Sequence, residues 1–167
     1  MELPPEEPRR RVIAISWSPV ALAWGRLGLE GEFEVARHHA IVGAVNALVF
    51  EADRGGSGTM MSAGFGFASG ASSSLGLEIG YHYWFDARRA LSGVFLGPSL
   101  LLGMTDQATA GDGAGWQGYW GGALDVGWQE VFPVGLTVAA GGGLAVAHMA
   151  DAAAPYPRLV ARAGWAF

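Results

Sequence analysis

The chain contains no cysteine and no lysine. Without cysteine there is no disulfide framework and no thiolate metal site, a composition compatible with an oxidising compartment. Without lysine, all ten basic residues are arginines, and the only basic cluster is Arg9, Arg10 and Arg11. Binding nucleic acid needs a basic face that displaces phosphate counterions. With a net charge of −5 and no such face, nucleic acid is set aside as a partner. Charge of either sign is scarce, 15% of residues against about 25% in a soluble domain.

What is abundant is apolar and small. Hydrophobic residues make up 51% of the 167, with 27 glycines and 7 tryptophans, and the mean hydropathy is +0.27. The length is enough for one domain with a sizeable core. A charge-poor, glycine-rich and tryptophan-rich chain is unusual in water. It suits a barrel that shows lipid an apolar outside and turns small or polar groups inward.

One stretch without formal charge, 131–150, is long and apolar enough to raise the possibility of a membrane-spanning helix. Pro133 near its start and Gly141, Gly142 and Gly143 in its middle argue against one. The even positions Val134, Leu136, Val138, Leu144 and Val146 are large, and the odd positions Gly135, Thr137, Ala139, Gly143, Ala145 and Ala147 are small. Period two is strand behaviour, since a helix would mix both sets on every face. The same alternation recurs. Leu27, Leu29, Phe33 and Val35 alternate with Arg26, Gly28, Glu30, Glu32 and Glu34. Leu75, Leu77, Ile79, Tyr81, Tyr83 and Phe85 alternate with Gly76, Glu78, Gly80, His82 and Trp84. Trp116, Trp120, Leu124, Val126 and Trp128 alternate with Gln117, Tyr119, Asp125 and Gln129. Leu159, Ala161, Ala163, Trp165 and Phe167 alternate with Arg158, Arg162 and Gly164.

A soluble β-sandwich or barrel would alternate too, with its bulky residues inside. Here the glycines share parity with the charges. A solvent face has no reason to be rich in glycine, which weakens strands, whereas a narrow barrel interior has room for little else. Aromatics such as Trp17, Tyr81, Tyr83, Phe85, Trp116, Trp128, Trp165 and Phe167 suit interfacial girdles.

Turn residues divide the chain into eight strands near 12–18, 25–35, 40–51, 74–85, 93–104, 115–129, 134–149 and 156–167. The fold expected is all-β, an eight-stranded antiparallel up-and-down transmembrane β-barrel over 12–167, preceded by a disordered lead-in over 1–11. Connections at 36–39, 86–92 and 130–133 are short, and those at 52–73, 105–114 and 150–155 mostly longer. That asymmetry suits periplasmic turns and outer loops. Unpaired backbone is not tolerated in hydrocarbon, so the first strand must close on the last, with both chain ends on the periplasmic side. A competing reading makes 9–11 the charged region, 12–24 the apolar region and Ala21-Leu22-Ala23 the cleavage site of a signal peptide. Trp17, Ser18 and Pro19 interrupt it, and cleavage would leave an odd strand count. The expectation is that a signal peptide is absent from this chain because it has been removed.

Several segments support a resemblance. Ser18-Pro19-Val20-Ala21-Leu22-Ala23-Trp24-Gly25-Arg26-Leu27, then Glu32, Phe33 and Ala36-Arg37-His38-His39-Ala40, resemble the start of a family of small uncharacterised Gram-negative outer-membrane β-barrel proteins, porin-like in build. Residues 77–85 and 93–100 resemble that family's middle hairpin. The final Trp165-Ala166-Phe167 is similar to the aromatic signal read by the barrel-assembly machinery. The resemblance implies fold and an outer-membrane location, with membrane lipid and that machinery as partners. It implies no activity.

The inward parity collects Arg26, Glu30, Glu32, Glu34, Glu78, His82, Asp125, Arg158 and Arg162. Buried charges must pair, so these are expected to form a salt-bridge network plugging the lumen of a protein with a structural or interaction role in the envelope. A narrow cation-preferring pore is the first alternative, because the set is net acidic. A lipid-modifying enzyme is the second, built on His148 with Asp151 and a serine from Ser57, Ser62 or Ser72–Ser74. Nothing in the spacing fixes such a site, so no enzymatic activity is expected. His38 and His39 point to opposite sides of a strand end, a poor start for a metal site. Neither metal nor cofactor is expected. The long 52–73 loop is a candidate recognition surface.

Overall fold

The computed structural model describes residues 11–19, 26–48, 71–85, 90–107, 115–149 and 152–167. Eight strands follow in order: β1 (Ile13–Trp17), β2 (Arg26–Ala36), β3 (His39–Leu48), β4 (Ala71–Trp84), β5 (Gly93–Gln107), β6 (Gly115–Val131), β7 (Leu136–Met149) and β8 (Ala152–Ala166). Each pairs antiparallel with the next, and β1 also pairs with β8, so the sheet closes into a barrel. Among the described residues no helix is long and apolar enough to cross a membrane.

The side-chain alternation read from the sequence sets the two faces. Following paired residues from Trp17 through Leu29, Val45, Leu77, Leu102 and Trp120 to His148 and Ala153 circles the barrel on its outer face. Trp17 itself pairs with Ala163, so the path returns to β8 about ten residues further along, the stagger that a tilted, closed eight-stranded sheet requires. Large apolar side chains lie exposed all the way round this face. The inner face carries small residues, the ionisable groups and a few large side chains.

Val12 and Phe167 meet at one end of the barrel, called here the terminal end. The Val12 N–H donates to the Phe167 carbonyl at 2.9 Å, and the Phe167 N–H donates to the Ile13 carbonyl at 2.8 Å. The β2–β3 and β6–β7 turns share this end. In the first, His38 takes a positive φ of 70° and donates from Nδ1 to the Trp84 carbonyl, 2.6 Å away. In the second, Gly135 has φ 105°, and a Cβ there would meet the Trp165 indole nitrogen at 2.5 Å, so glycine is required. Arg11, assigned to the lead-in by the sequence reading, donates to the Phe132 and Pro133 carbonyls of that turn.

At the far end the sequence reading needs one correction. The 150–155 connection, expected as a longer loop, is only the two residues between Met149 and Ala152. Ala152, Ala153 and Ala154 pair with Met149, His148 and Ala147, and Pro155 and Pro157 sit inside β8 opposite Val146 and Leu144. Proline is tolerated in a sheet where no ladder hydrogen bond needs its missing N–H. The Ala166 N–H points to the β7 side, at the Gly135 carbonyl, and the Phe167 N–H points to β1. Odd residues of the unbroken β8 ladder therefore direct their N–H toward β1. β1 pairs with β8 only from Ala163 to Ala166, so both prolines face a side where the described residues offer no partner.

Candidate functional site

The interior is layered. Near the terminal end, Ala14, Ala40, Trp84, Leu91, Phe95, Val131 and Ala166 pack into one buried cluster. Phe95 is fully buried, with ring centroids 4.4 Å from His82 and 5.2 Å from Trp84. Such a ring fits because Gly127 lies opposite it; a Cβ on Gly127 would come within 2.6 Å of the Phe95 ring. Toward the far end, Leu101, Tyr119, Ala145, Ala147 and Tyr156 form a second cluster on the β5–β8 wall.

Between and around these clusters lie the charges. Glu32 on β2 reaches His82 Nδ1 at 2.7 Å and accepts from Gln129 Nε2 at 3.0 Å, while Gln129 also donates to the Leu91 carbonyl at 2.9 Å. One buried carboxylate thereby ties β2 to β4, β6 and the β4–β5 connection. Arg158 on β8 donates from both terminal nitrogens to Glu78 on β4, each at 3.1 Å, and lies 3.3 Å from Asp125 on β6. This two-pronged pairing crosses the lumen, and its planar fork matches the carboxylate. Arg162 pairs with Glu30, and its guanidinium carbon sits 5.2 Å from the Phe95 ring centroid.

Eight of the nine residues singled out from parity thus face inward. Seven of them, Glu30, Glu32, Glu78, His82, Asp125, Arg158 and Arg162, join in the three groups just described. Glu34 is buried beside them at the terminal end, and the side chain of Arg26 lies outside the described residues. Parity missed Gln129 as a member, although its spacing placed it on the polar face, and it missed Phe95, Leu91 and Trp84 as the apolar filling. His148, the centre of the enzymatic alternative, stacks on Trp120 on the outer face with centroids 4.4 Å apart and planes within 10°. Ser57, Ser62 and Asp151 lie outside the described residues. His39 meets the Tyr81 hydroxyl, and His38 stacks on Tyr83. Among the described residues no group of three His, Asp or Glu side chains is arranged to hold a metal ion.

A cavity lies among these groups, with an empty volume of about 660 Å³ that includes the open solvent at its mouth. Phe95 and His82 form its floor. Glu30, Glu78, Asp125, Arg158 and Arg162 line it, and it reaches Trp17 on β1, Ser18 just after it, and Leu159 to Ala161 on β8.

Fold and interior define a closed eight-stranded antiparallel barrel with an ion-paired lumen. No protein-family model, no curated protein and no solved structure matches the chain.

Proposed function

We propose that this chain is a transmembrane barrel of a Gram-negative outer membrane, with a structural or interaction role in the envelope and a closed lumen. The observation that carries the reading is the inversion of its two faces. Ile79, Leu100, Trp120 and Leu144, on four different strands, are 60–67% exposed on the outer face, while Glu32, Asp125 and Arg158 are at most 8% exposed within. In water a continuous apolar belt of this kind would drive association. In hydrocarbon it matches its solvent, and closing the sheet removes the unpaired edges that a bilayer does not tolerate. Strands of ten residues inclined at about 40° rise about 25 Å, the height of the apolar band in such barrels. Tyr83, Phe85, Trp128, Trp165 and Phe167 gather at the terminal end, as an interfacial girdle would.

On this reading the terminal end faces the periplasm, and lipid is the surrounding partner. Trp165 and Phe167 are the signal for the barrel-assembly machinery. The packed rings of Phe95, Trp84 and His82 fill the lumen on the terminal side of the cavity, which supports a plug over a conducting path. The test is migration on a denaturing gel before and after boiling, following extraction of the membrane fraction with detergent. A folded barrel shifts its position on boiling. A chain that is recovered without detergent and does not shift refutes the reading. Silence of the purified barrel in planar bilayers is the further expectation, and discrete cation-selective steps would replace the plug with the pore.

A further inference from the structure

We propose that the outer face of β2, β3 and β4 holds an anionic phospholipid at the terminal end, its phosphate on Arg37 and His38 and an acyl chain over a dent at Gly31 and Gly43. The proposal rests on the reading of the chain as a membrane barrel.

The head site is made by a tight turn. β2 ends at Ala36 and β3 begins at His39, so Arg37 and His38 form the whole connection. The φ of 70° at His38 is uncommon for a residue with a side chain. Its effect is to bring two adjacent rings to one side. In a regular strand His38 and His39 would point to opposite faces, as their spacing led us to expect. Instead His38 stacks on the Tyr83 ring with centroids 5.9 Å apart, and His39 meets the same ring edge-on at 5.6 Å. The bond from His38 Nδ1 to the Trp84 carbonyl fixes that ring with Nε2 at its other end. His39 is held by the Tyr81 hydroxyl. Arg37 stands exposed beside them.

Charge selects the ligand. The acids of β2 and β4 are Glu30, Glu32, Glu34 and Glu78, and all four face the lumen. β3 has no acid. Among the described residues, then, no carboxylate of these strands stands on the outer face to pair with Arg37. A guanidinium takes a phosphate through parallel N–H bonds. A zwitterionic head brings its own cation to the same place, so a head with net negative charge is favoured.

Room for a chain lies below the turn. Gly31 and Gly43 face each other across β2 and β3, both exposed on the outer face, and a Cβ on either would meet nothing within 4 Å. Ile15 and Ile79 flank the pair in the same row, and Phe33 and Ile41 lie between it and the turn. Bulk around an empty middle leaves a dent in the apolar belt. From His39 to Gly43 the strand advances about 13 Å, or about 10 Å of depth at an inclination of about 40°. The dent therefore sits where a chain passes when its phosphate is at the turn.

The test uses the full chain, folded in neutral maltoside micelles, with phosphatidylglycerol and phosphatidylethanolamine of identical chains. Retention is read by native mass spectrometry. Phosphatidylglycerol is expected to be retained at least about tenfold more strongly, as one charge-assisted contact would give. Arg37→Gln should reduce that preference, and Arg37→Gln with His38→Asn, which tolerates the left-handed turn, should erase it. Gly31→Leu with Gly43→Leu fills the dent and should lower retention of phosphatidylglycerol several-fold. Arg11→Gln, at the β6–β7 turn, should leave the preference as it is, and soluble glycerol phosphate should not compete. All these variants should still shift on heating. Equal retention of the two lipids, a preference that survives loss of Arg37 and His38, equal loss in Arg11→Gln, or displacement by glycerol phosphate overturns the site and leaves the membrane reading intact. A chain that does not shift on heating overturns both.

Discussion

Arg158 is the residue whose removal tests the lumen network most directly. Its side chain is 5% exposed, and its two carboxylate partners, Glu78 and Asp125, are 10% and 8% exposed. Arg158→Met keeps most of the volume and removes the cation that pairs with both acids. Two carboxylates are then stranded across a narrow lumen. Removing one partner of a buried pair costs about 3–5 kcal/mol, most of it the penalty on the charge left behind. The midpoint of urea unfolding, followed by tryptophan fluorescence in lipid vesicles, should fall accordingly. At a slope of about 2 kcal/mol/M the shift is about 1.5–2.5 M. The decisive arm is the triple variant Arg158→Met, Glu78→Gln, Asp125→Asn. Because the cost comes from uncompensated charge rather than lost attraction, neutralising the acids should recover most of the midpoint. If Arg158→Met moves the midpoint by less than about 0.5 M, or the triple variant falls as far as the single one, the network does not hold the lumen in the way argued.

Further outcomes follow from particular contacts. Gly127→Ala should destabilise by about 1–3 kcal/mol, because the new Cβ meets the Phe95 ring at 2.6 Å and the Ala140 carbonyl at 2.9 Å. Gly43→Ala, with nothing within 4 Å of the added atom, should be neutral or stabilise by up to about 1 kcal/mol, and the same urea midpoint compares the two. Phe95→Ala should cost about 3–5 kcal/mol and, by opening the floor of the cavity, turn a silent barrel into one with measurable conductance in planar bilayers. Phe167→Ala leaves the backbone bonds to Val12 and Ile13 available, so refolding into detergent should be unchanged while the amount reaching the outer membrane in cells falls. Equal loss in both settings would make the side chain a stability element and not a signal.

Most of the wall was legible because β2, β4, β6 and β8 alternate cleanly. The span of β5 was legible too but its faces were not, since Val94, Phe95 and Leu96, and again Leu100, Leu101 and Leu102, are bulky on both sides. Phe95 and Leu101 are the inward members of these runs, and they are tolerated because Gly127 and small β6–β7 side chains lie across from them. Only pairing in space reveals that complement. Gln129 was on the page as a polar position, but nothing in its neighbours marks it as the partner of Glu32, 97 residues away. The β7–β8 turn was misread because Pro155 and the run of alanines before it look like loop. What makes them strand is the direction in which each absent N–H would have pointed, a property of the ladder and not of local composition.

The way the barrel closes also bears on how it is made. Seven of the eight strand pairings join neighbours in sequence and can zip up one after another, as local contacts do. The eighth joins β1 to β8, Ala14 to Ala166, and is completed by the backbone bonds of Phe167. It brings together the two strands furthest apart in sequence, so it carries the largest loop-closure cost of the eight. A barrel halted before that step keeps the free edges of β1 and β8, each a template for pairing with a second chain.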